Sequence, residues 1–135
     1  MISTKSIEQL ENDYWKDIEF PTGLVERCYR YRRIPIGNLT PGQIRTLISQ
    51  QIGLTFLMPL ALEMLRKDVL IETELYEGDL LSAVLTADIS FWKQYPAIKS
   101  EVFQLIEAKK QSLVLDQSED AKYINKLLEK ISSSV

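Results

Sequence analysis

The part of the sequence best suited to chemistry is the acidic stretch from residue 72 to residue 79. It carries the carboxylates Glu72, Glu74, Glu77 and Asp79 directly before an apolar run. Closely spaced carboxylates can act as an acid and base pair, can ligate a cation, or can simply accompany the start of a helix. These alternatives decide whether the chain is an enzyme, a metal protein or neither.

Catalysis and metal binding both lack residues that they require. The chain contains no histidine, which removes the commonest general base and the commonest zinc ligand. No serine or cysteine can therefore be activated by a histidine. A calcium loop needs oxygen ligands in alternation, but the stretch from residue 72 has leucines where ligands belong. We predict that Glu74, Glu77 and Asp79 are not catalytic, and that the protein uses no cofactor, metal or small-molecule substrate.

The same stretch fits the loop before a helix. Asp79 is placed to act as the N-cap of a short helix, and the acidic residues before it suit the positive end of the helix dipole. Apolar residues then recur at helical spacing and form the predicted buried face of this helix: Leu80, Leu81, Val84 and Leu85.

The rest of the chain also predicts helices, with no turn signal of the kind that joins two strands. The clearest helix start is Thr40, which can cap a helix that has Pro41 in its first position and Gln43 completing a capping box. The almost wholly apolar segment 54–67 predicts a central, buried helix, whereas residues 88–95 predict only a turn. We expect an all-α fold, a compact single-domain bundle of about six to seven helices.

Composition is typical of a globular protein with one domain. The 135 residues are 45% hydrophobic and 26% charged, which suits a single packed core over residues 1–135. The lone cysteine, Cys28, fits a reducing cytoplasm. The sequence predicts neither a secretory signal nor a membrane span. We expect a cytoplasmic protein that binds no membrane, with residues 132–135 as a frayed tail.

A block of basic residues raises the alternative of nucleic-acid binding. Arg27, Arg30, Arg32 and Arg33 lie close together with two tyrosines among them, a composition that resembles a phosphate-binding strip. The net charge of the chain is −3, however, and one short basic block in an acidic protein gives a weak attractive field. We expect these arginines to pair with acidic segments of the chain. A nucleic-acid-binding regulator that uses residues 27–33 is the alternative.

Four segments together resemble a known family. They are LENDYW at residues 10–15, PIGNLTPGQIRTLISQQIGLTFLMPLALEML at 35–65, YEGDLLSAVL at 76–85 and FWKQYP at 91–96. In this order and spacing they are similar to the helical immunity proteins of bacterial contact-dependent growth inhibition (CDI) systems. The resemblance covers residues 7 to 106 and leaves the C-terminal segment unmatched.

The resemblance implies a protein that is not an enzyme. Immunity proteins of this kind remain in the cytoplasm, bind the C-terminal toxin domain delivered by a neighbouring cell, and block its activity. The toxins are often nucleases, and one helical member is paired with an EndoU-like ribonuclease that acts on transfer RNA. The resemblance therefore implies a one-to-one complex with a cognate toxin domain of nuclease type, without direct contact to nucleic acid.

Charge predicts where a toxin would bind. A nuclease cleft is positive because it attracts phosphate, so a protein that covers it benefits from acidic side chains. The candidate toxin-binding residues belong to an acidic loop and to a second acidic edge near the N-terminus: Glu72, Glu74, Tyr76 and Glu77, and Asp13, Asp17 and Glu19.

Overall fold

The structure is a computed structural model that describes residues 4–16, 22–114, 116 and 118–133. Within these ranges the chain forms eight α-helices and no strand beyond an isolated bridge, so the all-α prediction is confirmed. The helices, in chain order, are α1 Ile7–Glu11, α2 Gly23–Tyr31, α3 Pro41–Ser49, α4 Leu54–Lys67, α5 Asp79–Val84, α6 Ile89–Gln94, α7 Pro96–Ser112 and α8 Glu119–Ser133.

The start of helix α3 is the one that the sequence predicts most clearly, and it is confirmed. The hydroxyl of Thr40 accepts a hydrogen bond from the Gln43 backbone N–H at 3.2 Å. The Gln43 side chain accepts one from the Thr40 backbone N–H at 2.9 Å, and Pro41 is the first helical residue. This reciprocal pair satisfies two of the N–H groups that a helix start leaves without partners.

Residues 88–95 form helix α6, so the prediction of a mere turn is wrong there. Asp88 caps the helix by accepting a hydrogen bond from the Ser90 backbone N–H at 2.9 Å. Phe91 and Trp92 are buried, and their ring centroids lie 5.2 Å apart in an edge-to-face arrangement. Tertiary packing of these two rings therefore stabilises a short helix that the sequence does not mark with a clear periodic pattern.

Helices α3, α4 and α5 contact one another and form the centre of the fold. They contribute fully buried leucines, among them Leu47, Leu57 and Leu80. Helix α7 packs on α4, and α8 packs on α5 and α7. Since α5 begins at Asp79, the last residue of the acidic stretch, the core holds the end of that stretch in place.

Some predicted features fall at the limits of the described ranges. Asp17 and Glu19, from the predicted second acidic edge, lie outside the described residues. Helix α8 continues to Ser133, two residues into the segment 132–135 that the sequence predicts as a frayed tail, and residues 134 and 135 lie outside the described residues.

Candidate functional site

Asp79 does not cap helix α5, so the prediction of an N-cap is wrong. The N-cap is Gly78, and Asp79 is the first helical residue. Gly78 has a φ of 83°, a left-handed conformation that glycine adopts without strain. The chain therefore turns sharply before α5, and the Asp79 carboxylate makes its hydrogen bonds with the preceding loop instead of with its own helix.

Four hydrogen bonds join the Asp79 carboxylate to that loop. Oδ1 accepts one from the Thr73 backbone N–H at 2.9 Å. Oδ2 accepts one from the Thr73 hydroxyl at 2.6 Å and two from the backbone N–H groups of Glu74 and Leu75, at 3.1 and 3.0 Å. One side chain thus fixes the backbone of three successive residues.

Asp79 is buried and its charge is balanced from helix α3. It is only 1% exposed, and Nε of Arg45 lies 3.6 Å from its Oδ2. Burial raises the pKa of the Asp79 carboxyl, but the hydrogen bonds from residues 73–75 lower it by more, so the pKa lies below its usual value. Asp79 is therefore a charged carboxylate, and both of its oxygens are engaged in holding a loop.

The loop also lies directly against the start of helix α3. Gly42 is the second residue of α3 and is buried. A Cβ atom at this position would overlap the side chain of Glu74, which passes over it. The lack of a side chain at Gly42 leaves room for Glu74, and a carboxylate near this helix end is favoured by the helix dipole.

We expect Gly42→Ala to displace this loop while helix α3 stays folded. Alanine favours a helix by roughly 1 kcal/mol over glycine, but its methyl group would push the Glu74 side chain away. The amides of residues 73–75 should then exchange with solvent about tenfold faster or more, which hydrogen exchange measures directly. Gly23→Ala, at the open start of α2, is the matched control, and equal exchange in both variants would contradict the prediction.

Between these anchors the acidic loop, defined as residues 72–77, presents both charge and apolar surface. Glu72 and Glu74 are exposed and Glu77 is half-buried. Leu75 is 62% exposed and Tyr76 is 49% exposed. The structure therefore brings the four predicted loop residues together and adds Leu75, which a search for charge does not find.

Asp13, from the second predicted edge, is tied to the end of helix α2. Arg32 is 1% exposed, and its Nη2 donates to the Asp13 backbone carbonyl at 2.7 Å. The same nitrogen lies 3.4 Å from Glu11 Oε1, and the guanidinium lies 4.3 Å from the ring centroid of Trp15. This cluster fastens the N-terminal segment, while the Asp13 side chain remains 66% exposed.

The buried position of Arg32 weakens the nucleic-acid alternative. A phosphate cannot reach a side chain that is buried and already paired. Arg33 has partners as well, since its Nε lies 3.7 Å from Glu8 Oε1 and its guanidinium lies 5.5 Å from the Tyr29 ring centroid. Two arginines of the block therefore pair with acidic residues of the chain, as the sequence predicts, and Arg27 and Arg30 are exposed.

Metal binding and thiol chemistry both lack support in the described part of the chain. No three His, Cys, Asp or Glu side chains are grouped there as metal ligands. Burial raises the pKa of the Cys28 thiol more than the nearby Arg27 lowers it, so this thiol stays protonated. None of the described helices has the length and apolar character needed to cross a membrane. The acidic loop is the strongest candidate site among these residues.

Comparison with known proteins places this loop inside a shared pattern. A family model described as CDI immunity proteins matches residues 9–102. No curated protein and no solved structure gives a match. The matched range contains the whole acidic loop and its anchors on α3 and α5, and it ends before helix α8 begins.

Proposed function

The chain belongs to the family of CDI immunity proteins, and we propose that it neutralises its cognate toxin by binding the toxin domain with the acidic loop. Family membership supports an immunity function against a CDI toxin. The toxin-facing surface is the further step. The observation that carries it is the attachment of an exposed loop, acidic and apolar at once, to the buried core through Asp79.

A loop held in this way is well suited to recognition. Binding residues are often found on loops that a rigid scaffold positions. Because the backbone of residues 73–75 is already fixed, the loop loses little conformational entropy when a partner binds. Leu75 and Tyr76 add exposed apolar surface to the carboxylates. Interfaces combine an apolar centre, which is buried on binding, with a polar rim.

The acidity of the loop indicates a basic partner surface. Opposite charges on two partners speed their encounter and reject partners of the wrong sign. A nuclease has a positive cleft because it binds phosphate, so we infer that the toxin is a nuclease, with an EndoU-like ribonuclease as one candidate. The loop then occupies the place of the nucleic acid, and the immunity protein itself does not contact nucleic acid.

We further infer that the protein acts by binding alone, one copy to one toxin domain. The chain has no histidine, and Asp79, the buried carboxylate among the described residues, is engaged by the loop and by Arg45. Each chain carries one acidic loop, which fits a one-to-one complex. The cytoplasm is the proposed place of action, since a buried free cysteine suits a reducing compartment.

The complex itself is the test of this function. We expect the protein to co-purify with the C-terminal domain of the CDI exoprotein encoded beside it, in equal amounts as measured by light scattering after gel filtration. The purified toxin domain should lose its nuclease activity on transfer RNA when the protein is added. A toxin domain that neither binds the protein nor is inhibited by it would refute the proposal.

A further inference from the structure

A cleft lies directly beside the acidic loop. It has a volume of about 350 Å³ and is lined by Tyr76, Ser82, Leu127, Lys130 and Ile131. Tyr76 belongs to the acidic loop and Ser82 to helix α5, while the other three residues belong to helix α8. The cleft is therefore formed where the acidic loop meets the C-terminal helix.

The wall formed by helix α8 is firmly placed. Leu128 is fully buried, and Ile131 is 6% exposed. A Cβ atom on Gly78 would lie 2.8 Å from Ile131 Cδ1, so α8 packs directly on the turn that ends the acidic loop. The relative position of Tyr76 and α8 thus follows from packing at this glycine.

One wall of the cleft, formed by the acidic loop and α5, lies within the range matched by the family model, whereas the wall formed by α8 lies outside it. The match to the family model ends at residue 102, and α8 begins at Glu119. The loop and α5 belong to the shared pattern, whereas Leu127, Lys130 and Ile131 come from a segment outside it. A contact made in this cleft would therefore combine residues inside the matched range with residues outside it.

We propose that this cleft receives an apolar side chain of the cognate toxin domain, and that helix α8 thereby selects the toxin. The inference rests on the proposed function, because the acidic loop has to bring the toxin surface over Tyr76. Tyr76, Leu127 and Ile131 give the cleft apolar walls, and side chains that fill such pockets dominate the affinity of interfaces.

Filling the cleft from within tests the proposal. We expect Ser82→Phe to weaken binding of the purified toxin domain by tenfold or more, through faster dissociation, since the new ring would take the space of the toxin side chain. Surface plasmon resonance measures both rates, and the thermal midpoint of the variant reports its folding. Ser100→Phe is the matched control, because Ser100 lines a different cleft, between α6 and α7, and should leave binding unchanged.

A second variant keeps the test decisive if Ser82→Phe does not fold. Tyr76 is half exposed, so Tyr76→Ala should fold normally and weaken binding by about tenfold, whereas Tyr76→Phe should bind as the parent does. The inference would be overturned if both Ser82→Phe and Tyr76→Ala bind the toxin domain with parental affinity, or if Ser100→Phe loses as much affinity as Ser82→Phe. Either result would still allow the acidic loop to bind the toxin. A parent protein that does not bind the toxin domain would overturn the proposed function as well.

Discussion

Asp79→Ala should lower the free energy of unfolding by about 3 to 5 kcal/mol, the range typical of breaking a buried ion pair from one side. The substitution removes the acceptor of four hydrogen bonds and leaves the half-buried Arg45 without its counter-charge. Loss of an ordinary helix cap costs only about 1 kcal/mol. Chemical denaturation measures the free energy of unfolding of each variant. Thr40→Ala, which removes the N-cap of α3, is the control and should cost only about 1 kcal/mol.

The pH dependence of Asp79→Asn provides a second measurement on the same carboxylate. Because the folded-state pKa of Asp79 is lowered, its charge adds stability that is complete above the unfolded-state pKa and disappears as the pH falls through the folded-state pKa. The parent should therefore exceed Asp79→Asn in stability above about pH 5, and the margin should shrink in more acidic solution. A margin that does not change between neutral and acidic pH would show that the charge of Asp79 has no part in holding the loop.

Reversal of charge at Glu72, Glu74 and Glu77 together should slow association with the toxin domain by about 10- to 1,000-fold at low salt. The association rate of this variant should also depend less on salt concentration, because the attraction that salt screens is removed. Losses from single reversals should range from negligible to about 2 kcal/mol, depending on how far water is excluded from each pair. Stopped-flow mixing at several salt concentrations gives the rates.

A matched triple variant separates local charge from net charge. Glu26, Glu63 and Glu107 are exposed and lie on helices α2, α4 and α7, so their reversal changes the net charge by the same amount away from the acidic loop. This variant should associate far faster than the loop variant. If the two variants associate equally fast, the acidic loop does not face the toxin, and the edge at Asp13 becomes the leading candidate.

Most of the helices and the acidic loop could be predicted from the sequence because their signals are local, whereas α6 could not. The capping box of Thr40 and Gln43 joins residues three apart, and the apolar run 54–67 predicts a buried helix from its own composition. The charges of Glu72, Glu74 and Glu77 are visible in the same way. Local signals of this kind need no knowledge of what packs against them.

What the tertiary structure decided is how the loop is held. From the sequence, Asp79 could be either an N-cap or a carboxylate that holds the preceding loop. Only the packing of α3 against α5 buries Asp79 and brings Arg45 close to its carboxylate. Gly42 gives no local sign that Glu74 passes over it, although the two residues are in contact in the fold. Arg32, one basic residue among several, proves to be buried beneath Trp15.

The sequence by itself determined an all-α fold with an acidic loop, because periodicity, caps and charge are properties of neighbouring residues. The immunity function was implied by the resemblance of four segments to a known family, and not by these local patterns. The tertiary structure alone decided that Asp79 anchors this loop, that α6 is a helix, and that α8 forms a cleft beside Tyr76. These features depend on burial and on contacts between residues far apart in the chain. A buried charge is unfavourable unless it is paired with an opposite charge or with hydrogen-bond donors. The sequence does not show which groups are buried together, because that depends on tertiary packing.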